Sequence, residues 1–508
     1  MLSTWRDDQN DTDCCRWKGI ECNNETGHVE MLDLRGSESH FLSGSINITS
    51  LVGLQKLKYL DLSYNDQSIG GQIPPSIGSF QSLRYLNLSL TIFSGTILYE
   101  LGNLSKLEYL DLKETYLHGE IPSQLGKLSS LRYLDLSANL EIYGEIPSQL
   151  ESLSHLRYLD LVGNVLSGAI PSQLGTLSHL RYLDLSGNSL SKVLPFQVGN
   201  LPLLHSLRID GSSDDYISPL FPSHFNISTS RSILDLSNNE LTSSTFQLLS
   251  NHSPNLQELD LSLNNIVLSS PHYLNFPSLV ILDLSFNNLT QTSIFQENLN
   301  FSTKLQDLTL FDCGFTDKSF VVSYSYTKSS VSLVSLELSN NLLKSLVVFH
   351  WVCNFTANLQ SLSLENNLLE GPIPDGFRKV MNSLTFLEFN YNKLRGEIPV
   401  SLGFLYQLQF LYLGENYLEG DINELHLTNL SQLIDLDLSD NSLSMNFATT
   451  WTPPFQLLSL GLASCKLGPS FPSWLRTQSQ LDFLDISNAG IDDFVPDWFW
   501  NKLQFITN

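Results

Sequence analysis

LRYLDLS, the sequence of Leu131–Ser137, returns as LRYLDLS at Leu180, as LRYLDL at Leu156 and as LRYLNLS at Leu83. Written as L-x-x-L-x-L-x-x-N, this template recurs along the chain of 508 residues at steps of 23 to 28 residues. Its last position falls at nineteen residues: Ser37, Asn65, Thr91, Thr115, Asn139, Asn164, Asn188, Ser212, Asn239, Asn264, Asn287, Cys313, Asn341, Asn367, Asn392, Asn416, Asn441, Cys465 and Ala489. A repeating period of this length indicates an architecture of stacked units.

The two inner leucines of the template are two residues apart, so both point to one side of a short strand. One repeat cannot bury these leucines alone, and neighbours stacked on either side complete the core. The period lies in the range of leucine-rich repeats. We therefore predict an α/β fold, namely a right-handed leucine-rich-repeat solenoid of horseshoe or superhelical shape with a concave parallel β-sheet.

Several repeats continue as L-x-G-x-I-P, and clear examples are Gly71–Pro74, Gly119–Pro122, Gly144–Pro147, Gly168–Pro171, Gly371–Pro374 and Gly396–Pro399. At these sites the sequence resembles the plant-specific extracellular class of leucine-rich repeats. The resemblance implies second short strands and 3-10 turns on the convex side. The repeats between about 212 and 370 lack this text, so we expect them to be less regular there.

The asparagine that ends the template leaves the strand, and an inward amide at this point can pair with backbone groups of the turn across adjacent repeats. Cys313 and Cys465 occupy the same position. A small, weakly polar thiol fits there, so we interpret both cysteines as buried core residues and not as a disulfide or a metal site.

The chain has 52 acidic and 27 basic residues, and its formal net charge is −25. Nucleic acid and anionic lipid both need basic surfaces, so neither is expected as a partner. A basic or polar protein, peptide or saccharide is compatible with this charge. No stretch approaches ~18 consecutive apolar residues, so no membrane segment is expected, and Met1–Asp13 does not have the pattern of a signal peptide.

Near the start of the chain lie Trp5 and then the run DCCRWKGIEC at Asp13–Cys22. This text resembles the amino-terminal cap of plant leucine-rich-repeat receptor kinases, receptor-like proteins and polygalacturonase-inhibiting proteins. The resemblance implies a disulfide between Cys15 and Cys22 and leaves Cys14 without its upstream partner. Zinc is the competing interpretation of three clustered cysteines, but no second pair at finger spacing follows, so no metal is expected.

The cap resemblance also implies the domain organisation. Residues 1–28 would form a partial cap without its upstream helix, and residues 29–508 would form about nineteen repeats without a carboxyl-terminal cap.

The segment Leu484–Ile491, followed by Val495–Trp500, resembles the middle of plant receptor-like proteins, a group that includes the Cf-type resistance proteins and the receptors for fungal xylanase. In that family further repeats, a non-repeat island, a cysteine-bearing cap, one membrane helix and a short tail come next. The resemblance implies that this chain is a fragment of a longer single-pass receptor, located at the extracellular face of the plasma membrane.

Motifs of catalytic chemistry are missing from the sequence, including Gly-x-Ser-x-Gly, Gly-x-x-x-x-Gly-Lys, His-Glu-x-x-His and the kinase set. Many carboxylates fall in a repeat-period column that reflects duplication, which argues against a glycosidase pair. We therefore expect no enzyme, no catalytic residue and no cofactor. Asn-x-Ser/Thr sequons beside the cysteine cluster favour a secretory route. The glycosylation candidates are Asn47, Asn226, Asn251, Asn300 and Asn354.

Template positions three, five and seven are expected to face the concave side. In six successive repeats position three is Tyr59, Tyr85, Tyr109, Tyr133, Tyr158 and Tyr182, and position five is Asp61, Asn87, Asp111, Asp135, Asp160 and Asp184. These columns are either a platform for a basic or sugar partner or consensus residues that stabilise the sheet. We favour the second role and keep Tyr109, Tyr133, Tyr158 and Tyr182 as a secondary platform.

Ligand selectivity is expected where repeats depart from the consensus. The residues that differ from the repeat consensus are Arg208 and Phe311, then Phe386, Glu388 and Asn390 on one strand, and Phe410 and Tyr412 on the next. Because the last two strands are adjacent, we predict that their aromatic side chains share one patch. Drift under relaxed constraint is the alternative interpretation of these departures.

The resemblance and this surface together predict the ligand-binding ectodomain of a plant cell-surface receptor-like protein. Its ligand is expected to be an extracellular protein, peptide or oligosaccharide, and its setting the perception of pathogens or elicitors in defence. Signalling would pass through a partner receptor kinase acting as co-receptor. Two alternatives stay open: the ectodomain of a leucine-rich-repeat receptor kinase, and a secreted inhibitor of a microbial wall-degrading enzyme.

Overall fold

The computed structural model describes residues 13–37, 41–42, 48–191, 195–199, 201–210, 231–267, 276–290, 302, 304–320, 333–355, 358–375 and 381–500. The chain divides into two compact units, 1–241 and 242–508, which we call unit 1 and unit 2. Trp5, which was predicted as part of the cap, lies outside the described residues.

The main sheet of unit 1 is built mainly from three-residue strands that coincide with template positions three to five. Its described strands are Ile20–Cys22, Val29–Asp33, Tyr59–Asp61, Tyr85–Asn87, Tyr109–Asp111, Tyr133–Asp135, Tyr158–Asp160, Tyr182–Asp184, Ser206–Arg208 and Ile233–Asp235. Ile20–Cys22 is antiparallel to its neighbour, and the later strands pair in parallel with equivalent template positions side by side. The template leucines lie behind this sheet and are almost completely buried.

Unit 2 repeats the same arrangement. The described strands of its main sheet are Glu258–Asp260, Ile281–Asp283, Asp307–Thr309, Ser335–Glu337, Ser361–Ser363, Phe386–Glu388, Phe410–Tyr412, Asp435–Asp437, Ser459–Gly461 and Phe483–Asp485. All neighbouring pairs are parallel and in template register. Position three of each strand therefore lies beside position three of the next, and positions five and seven do the same.

Second short strands come after many of the main strands, including those followed by the L-x-G-x-I-P motif. In unit 1 they are Asn65–Gln72, Thr91–Thr96, Tyr116–Glu120, Glu141–Gly144, Val165–Gly168 and Ser189–Leu190, and in unit 2 they are Glu370–Gly371, Lys393–Gly396, Tyr417–Ile422 and Ser442–Met445. Glycines such as Gly119 (φ 89°) and Gly396 (φ 84°) adopt the left-handed conformation that lets these strands turn.

A 3-10 turn then leads back toward the next leucine core, as at Ser123–Lys127 and Val400–Phe404. Parallel strands, second strands and 3-10 turns confirm the predicted leucine-rich-repeat solenoid.

Short α-helices replace the 3-10 turn in some repeats. They are α1 (Phe196–Gly199), α2 (Ser243–His252), α3 (Val347–Phe355), α4 (Glu424–Leu427) and α5 (Asp497–Trp500). The two longest, α2 and α3, lie between 212 and 370, where the L-x-G-x-I-P text is missing. Among the residues that the structure describes, no helix is long and apolar enough to cross a membrane.

Where the template ends in asparagine, the side chain of that residue closes the turn after the strand. The Asn188 side-chain nitrogen donates to the carbonyl of Leu161 in the preceding repeat (2.8 Å) and to Leu185 and Ser186 of its own repeat (both 3.1 Å). Its side-chain oxygen accepts from the backbone N–H of Leu166 (3.0 Å). One buried amide thus satisfies backbone groups on both sides of a repeat boundary, as the sequence predicted.

Cys313 and Cys465 lie at the asparagine position as buried free thiols. Each sulfur contacts one carbonyl of the preceding repeat at 3.2 Å, Leu284 for Cys313 and Leu438 for Cys465. Burial raises the pKa of both thiols to about 12, so they are protonated and poorly reactive. The contacts match the core role inferred from the sequence.

The described start of the chain carries the disulfide that the cap resemblance implies. Cys15 and Cys22 are bonded, with their Cα atoms 5.5 Å apart, and Cys14 is a free thiol. The three sulfur atoms lie within 4.8 Å of one another. Because the disulfide uses two of them, they do not form a set of thiolate ligands for zinc.

Arg231 is an unexpected core residue. It stands at the first template position of its repeat, where other repeats have leucine, and only 1% of it is exposed. Its Nη2 donates to the carbonyl of Gly199 at the end of α1 (3.2 Å), while Nε and Nη1 have no hydrogen-bond partner among the described residues. Burial lowers the pKa of Arg231 to about 10. The guanidinium therefore carries a desolvation cost that the leucine consensus avoids.

We predict that Asn188→Ala lowers the free energy of unfolding by about 2–4 kcal/mol, because it leaves several buried carbonyls without a donor. Asn188→Cys should lose about half as much, since Cys313 and Cys465 show that a thiol keeps one of these contacts. Urea denaturation followed by circular dichroism measures both changes, and Ser178→Ala, at an exposed site of the same repeat, is the control. Equal stability of the alanine variant and the parent would contradict the proposed role.

Arg231→Leu is expected to stabilise unit 1 by about 1–3 kcal/mol, because it replaces an incompletely paired buried charge with the consensus side chain. Arg231→Met, which matches the length of the side chain more closely, should act in the same direction. The measurement is the shift in the urea midpoint. A destabilised leucine variant would mean that residues outside the described part bind the guanidinium.

Candidate functional site

Six tyrosines form a continuous stack on the face of the unit 1 main sheet. Adjacent ring centroids are 4.1–4.3 Å apart and adjacent planes are inclined by 7–10° along the row Tyr59, Tyr85, Tyr109, Tyr133, Tyr158 and Tyr182. The in-register strands impose this spacing, because each tyrosine occupies template position three. We call this row the tyrosine stack.

The hydroxyls of the tyrosine stack are bound by the carboxylates of position five. Tyr133 donates to Asp135 (3.1 Å) and Tyr158 donates to Asp160 (2.9 Å). The second oxygen of Asp135 accepts the backbone N–H of Ser137 (2.9 Å). Similar pairs recur at the other repeats, and in the repeat of Tyr85 the side-chain nitrogen of Asn87 donates to the hydroxyl instead (3.4 Å).

This arrangement favours the structural role that we assigned to Tyr109, Tyr133, Tyr158 and Tyr182. Each of these four rings except Tyr182 has a stacking partner on both faces, so its faces are not available to a sugar ring or a cation. The hydroxyls are occupied by buried carboxylates. A partner that meets the stack contacts mainly ring edges, which offer less specific recognition.

Burial raises the pKa of carboxylates below the tyrosine stack. Desolvation, strengthened by the neighbouring carboxylates, raises the pKa of Asp111 to about 6 and the pKa of Asp160 to about 6. Burial and the same carboxylates also raise the pKa of Tyr109, Tyr133 and Tyr158 above the usual range. The stack therefore holds neutral hydroxyls against a row of acids that are shielded from water.

The face of unit 2 has a different arrangement of aromatic rings, which we call the aromatic patch: Phe386, Phe410 and Tyr412. Its ring centroids are 5.7–6.5 Å apart and its planes are inclined by 33–66°. The Tyr412 hydroxyl donates to Asp435 on the next strand (3.0 Å), which fixes that ring. All three rings are half-buried, and because they are tilted, parts of their faces stay open to a partner.

Acidic and amide side chains lie next to the aromatic patch. Ser363 donates to Glu388 (2.7 Å), and the hydroxyls of Ser339 and Ser363 are 2.6 Å apart. Glu337 accepts the backbone N–H of Ser339 (2.7 Å), so a hydrogen-bonded chain runs from Glu337 to Glu388 across three strands. The side-chain oxygen of Asn390 is buried and has no hydrogen-bond partner among the described residues.

Of the residues predicted from sequence, the structure brings Phe386 and Glu388 onto one strand and Phe410 and Tyr412 onto the next, and Asn390 follows two residues after the first strand. Phe311 is not next to them, since two other strands intervene, and its ring packs against Phe286 (5.0 Å). Arg208 belongs to unit 1, where it lies in register between Asp184 and Asp235. We therefore restrict the candidate site to the face of unit 2 around the aromatic patch.

Sequence reasoning did not identify Glu337, Ser363 and Glu365 as part of this site. A signal was present in the sequence, since glutamate replaces the usual aspartate at position five of the Glu337 and Glu388 repeats. Of the glycosylation candidates, Asn47, Asn226 and Asn300 lie outside the described residues. Asn251 belongs to α2 and Asn354 to α3, where only the backbone is described.

Family models match three segments of the chain. A leucine-rich repeat region matches residues 67–294, a leucine rich repeat N-terminal domain matches residues 1–23, and a further leucine rich repeat matches residues 358–380. Together with the solenoid, these matches place the chain in the class of leucine-rich-repeat proteins.

Among curated proteins, the chain is 35% identical to receptor-like protein EIX1 of Solanum lycopersicum, over 98% of this chain and 49% of the relative. The chain belongs to the leucine-rich-repeat receptor-like proteins of plants. It spans about half the length of the curated relatives it matches.

Solved structures agree on the fold. The ectodomain of the Arabidopsis thaliana receptor kinase GASSHO1/SCHENGEN3, in complex with CASPARIAN STRIP INTEGRITY FACTOR 2, is 28% identical with a TM-score of 0.64, over 96% of this chain and 62% of that one. The Arabidopsis receptor kinase HAESA, in complex with the peptide hormone IDA and the co-receptor SERK1, is 27% identical with a TM-score of 0.51, over 96% of this chain and 90% of that one.

We predict that the stability of unit 1 falls as the pH rises from about 4 to 7. The pKa of Asp111 and Asp160 is about 6 in the folded chain and about 3.9 in an unfolded one. The folded state therefore binds more protons between these values, so this contribution is complete below pH ~4 and is lost as the pH rises through ~6. Urea denaturation at several pH values measures the slope.

The double variant Asp111→Asn/Asp160→Asn is the test of this assignment, since Asn87 already occupies an equivalent position and contacts its tyrosine. It should reduce the loss of stability between pH 4 and 7 by about 2–4 kcal/mol. An unchanged pH dependence in the double variant would assign the effect to other groups.

Proposed function

We propose that this chain is the ligand-binding part of a plant cell-surface receptor-like protein that perceives an elicitor outside the cell and acts in defence. The observation that carries the proposal is the candidate site of unit 2. There, Phe386, Glu388, Phe410 and Tyr412 depart from the repeat consensus on one open sheet face. Aromatic residues beside carboxylates give the rigid contact area and directional polar groups that protein and peptide ligands use.

Signalling would require a partner, which we propose to be a receptor kinase at the extracellular face of the plasma membrane. The structure of HAESA with a peptide hormone and the co-receptor SERK1 supports this type of assembly for a related fold. The defence setting rests on the sequence resemblance to Cf-type resistance proteins. Both the ligand and the kinase partner are properties of the full-length receptor-like protein.

The ectodomain of a receptor kinase is a second candidate function. The observation in its favour is the likeness to solved receptor kinases, one of which, HAESA, holds a peptide hormone. The two candidates share the same binding face and differ only in the segments carboxyl-terminal to the ectodomain. We propose no catalytic role for this chain, because its exposed polar groups are arranged as repeating columns and not as an acid–base constellation.

If the aromatic patch binds the ligand, Phe386→Ala, Phe410→Ala and Tyr412→Ala should each weaken binding by about 1–3 kcal/mol, the range of an aromatic hot spot. Stability should change little, because the three rings face outward and their removal leaves no closed cavity. The assay is a binding titration with a ligand obtained by screening microbial elicitors and plant peptides against the complete ectodomain.

Tyr133→Ala is the control, since it removes a ring of the tyrosine stack and leaves the aromatic patch intact. It should lower the unfolding midpoint but cost less affinity than the three patch variants. If the three patch variants kept the parent affinity and Tyr133→Ala lost binding, the binding site would lie in unit 1.

A further inference from the structure

Five successive repeats of unit 2 carry acidic residues but no lysine or arginine in their templates. Their templates are 333–341, 359–367, 384–392, 408–416 and 433–441, and we call their exposed surface the acidic face. These templates contain seven acidic residues and no lysine or arginine. The charge on this face is therefore not neutralised within the strands that carry it.

The tyrosine-bearing repeats of unit 1 provide an internal comparison. The six templates that hold the tyrosine stack contain seven acidic and six basic residues. Arg84 and Arg132 at position two both form ion pairs with Glu108, at 2.8 Å and 3.7 Å. On the acidic face position two is instead uncharged, with residues such as Gln360, Thr385 and Gln409. The same fold thus balances its charges in unit 1 and leaves them unbalanced here.

The carboxylates of the acidic face act on one another. Glu337 and Glu388 are linked through Ser339 and Ser363, and Glu365 stands at template position seven of the repeat between them. Burial and repulsion from the neighbouring glutamates raise the pKa of Glu337 and of Glu365. None of the three glutamates forms an ion pair within the described residues. An incoming cation would relieve this repulsion.

The groups around Glu388 specify the shape of that cation. Asn390, two residues after Glu388, has a buried side-chain oxygen without a donor among the described residues, and its backbone carbonyl accepts the N–H of Asn366, which follows Glu365 (3.0 Å). Phe386, two residues before Glu388, offers a half-buried ring that is tilted against Phe410. Two carboxylates, one amide oxygen and an aromatic face match a guanidinium, which has five donors in a plane and stacks on rings. An ammonium would use fewer of these acceptors.

We infer that the acidic face binds an arginine side chain of an extended peptide segment, with the guanidinium between Glu365, Glu388 and Asn390 and an apolar neighbour of that arginine on the aromatic patch. This inference rests on the proposed function and names the chemistry of its ligand. Strands about 4.8 Å apart and a peptide rise of about 3.3 Å per residue place the apolar residue one to three positions from the arginine.

The test uses the 508-residue chain and the synthetic peptide acetyl-Gly-Ser-Arg-Gly-Phe-Ser-Gly-amide. Its affinity is compared with that of the citrulline peptide, a neutral isostere of arginine, and of the lysine peptide, by calorimetry in 50 mM and 300 mM salt. We expect the arginine peptide to bind at least 10-fold more tightly than the citrulline peptide, with the lysine peptide between them. Binding of the arginine peptide should weaken at high salt.

Glu365→Gln/Glu388→Gln should reduce binding of the arginine peptide at least 10-fold. Asp135→Asn/Asp160→Asn in unit 1 removes the same net charge from carboxylates that are paired with tyrosines, and it should leave the affinity unchanged. Unfolding midpoints verify that each variant is folded. Equal affinity of the citrulline and arginine peptides, or equal loss in both double variants, would overturn the inference.

Failure of the inference differs from failure of the proposed function. An elicitor that binds and signals through a Glu365→Gln/Glu388→Gln receptor would leave the receptor function intact and refute the arginine site. Conversely, arginine-dependent peptide binding by a receptor that gives no elicitor response in plant cells would support the site and refute the defence function.

Discussion

The asparagine that ends most templates is the constraint on which the rest of the structure depends. Strands of three residues leave several backbone carbonyls in the buried turn without a partner in the sheet, and one amide pairs with them across a repeat boundary. Because one of these bonds joins two repeats, the register of one repeat fixes the register of the next. That register in turn places equivalent side chains side by side, which makes both the tyrosine stack and the acidic face possible.

The two units carry different side-chain arrangements on the same backbone. In unit 1, tyrosine rings cover one another and their hydroxyls bind buried acids, so polar groups are satisfied internally. In unit 2, glutamates and serines replace these pairs, and the aromatic rings are tilted and open. The difference arises from a few side chains at positions three and five, while the strand pairing is unchanged.

Much of the fold could be predicted from the sequence because the leucine period fixes which side chains point inward. The roles of the template asparagines, of Cys313 and of Cys465 could be inferred by the same logic. The period does not fix how outward side chains meet their neighbours, so the sequence did not show that the tyrosines occupy one another's faces or that Ser363 links two glutamates. Arg231 was missed because a template based on leucine does not predict a buried guanidinium. In the candidate site, the two aromatic strands and Glu388 were predicted, whereas Glu337 and Glu365 were not.

The tyrosine stack also affects how a receptor of this kind can evolve. A substitution at an inner ring such as Tyr133 uncovers the faces of two neighbours and the acid beneath it, so single changes within the row are costly while the row as a whole is stable. We therefore expect the sequence of unit 1 to change slowly in evolution, with several positions of the row changing together. The open rings of unit 2 have no such mutual dependence, and one repeat there can acquire a new specificity by substitution or unequal exchange without loss of the scaffold.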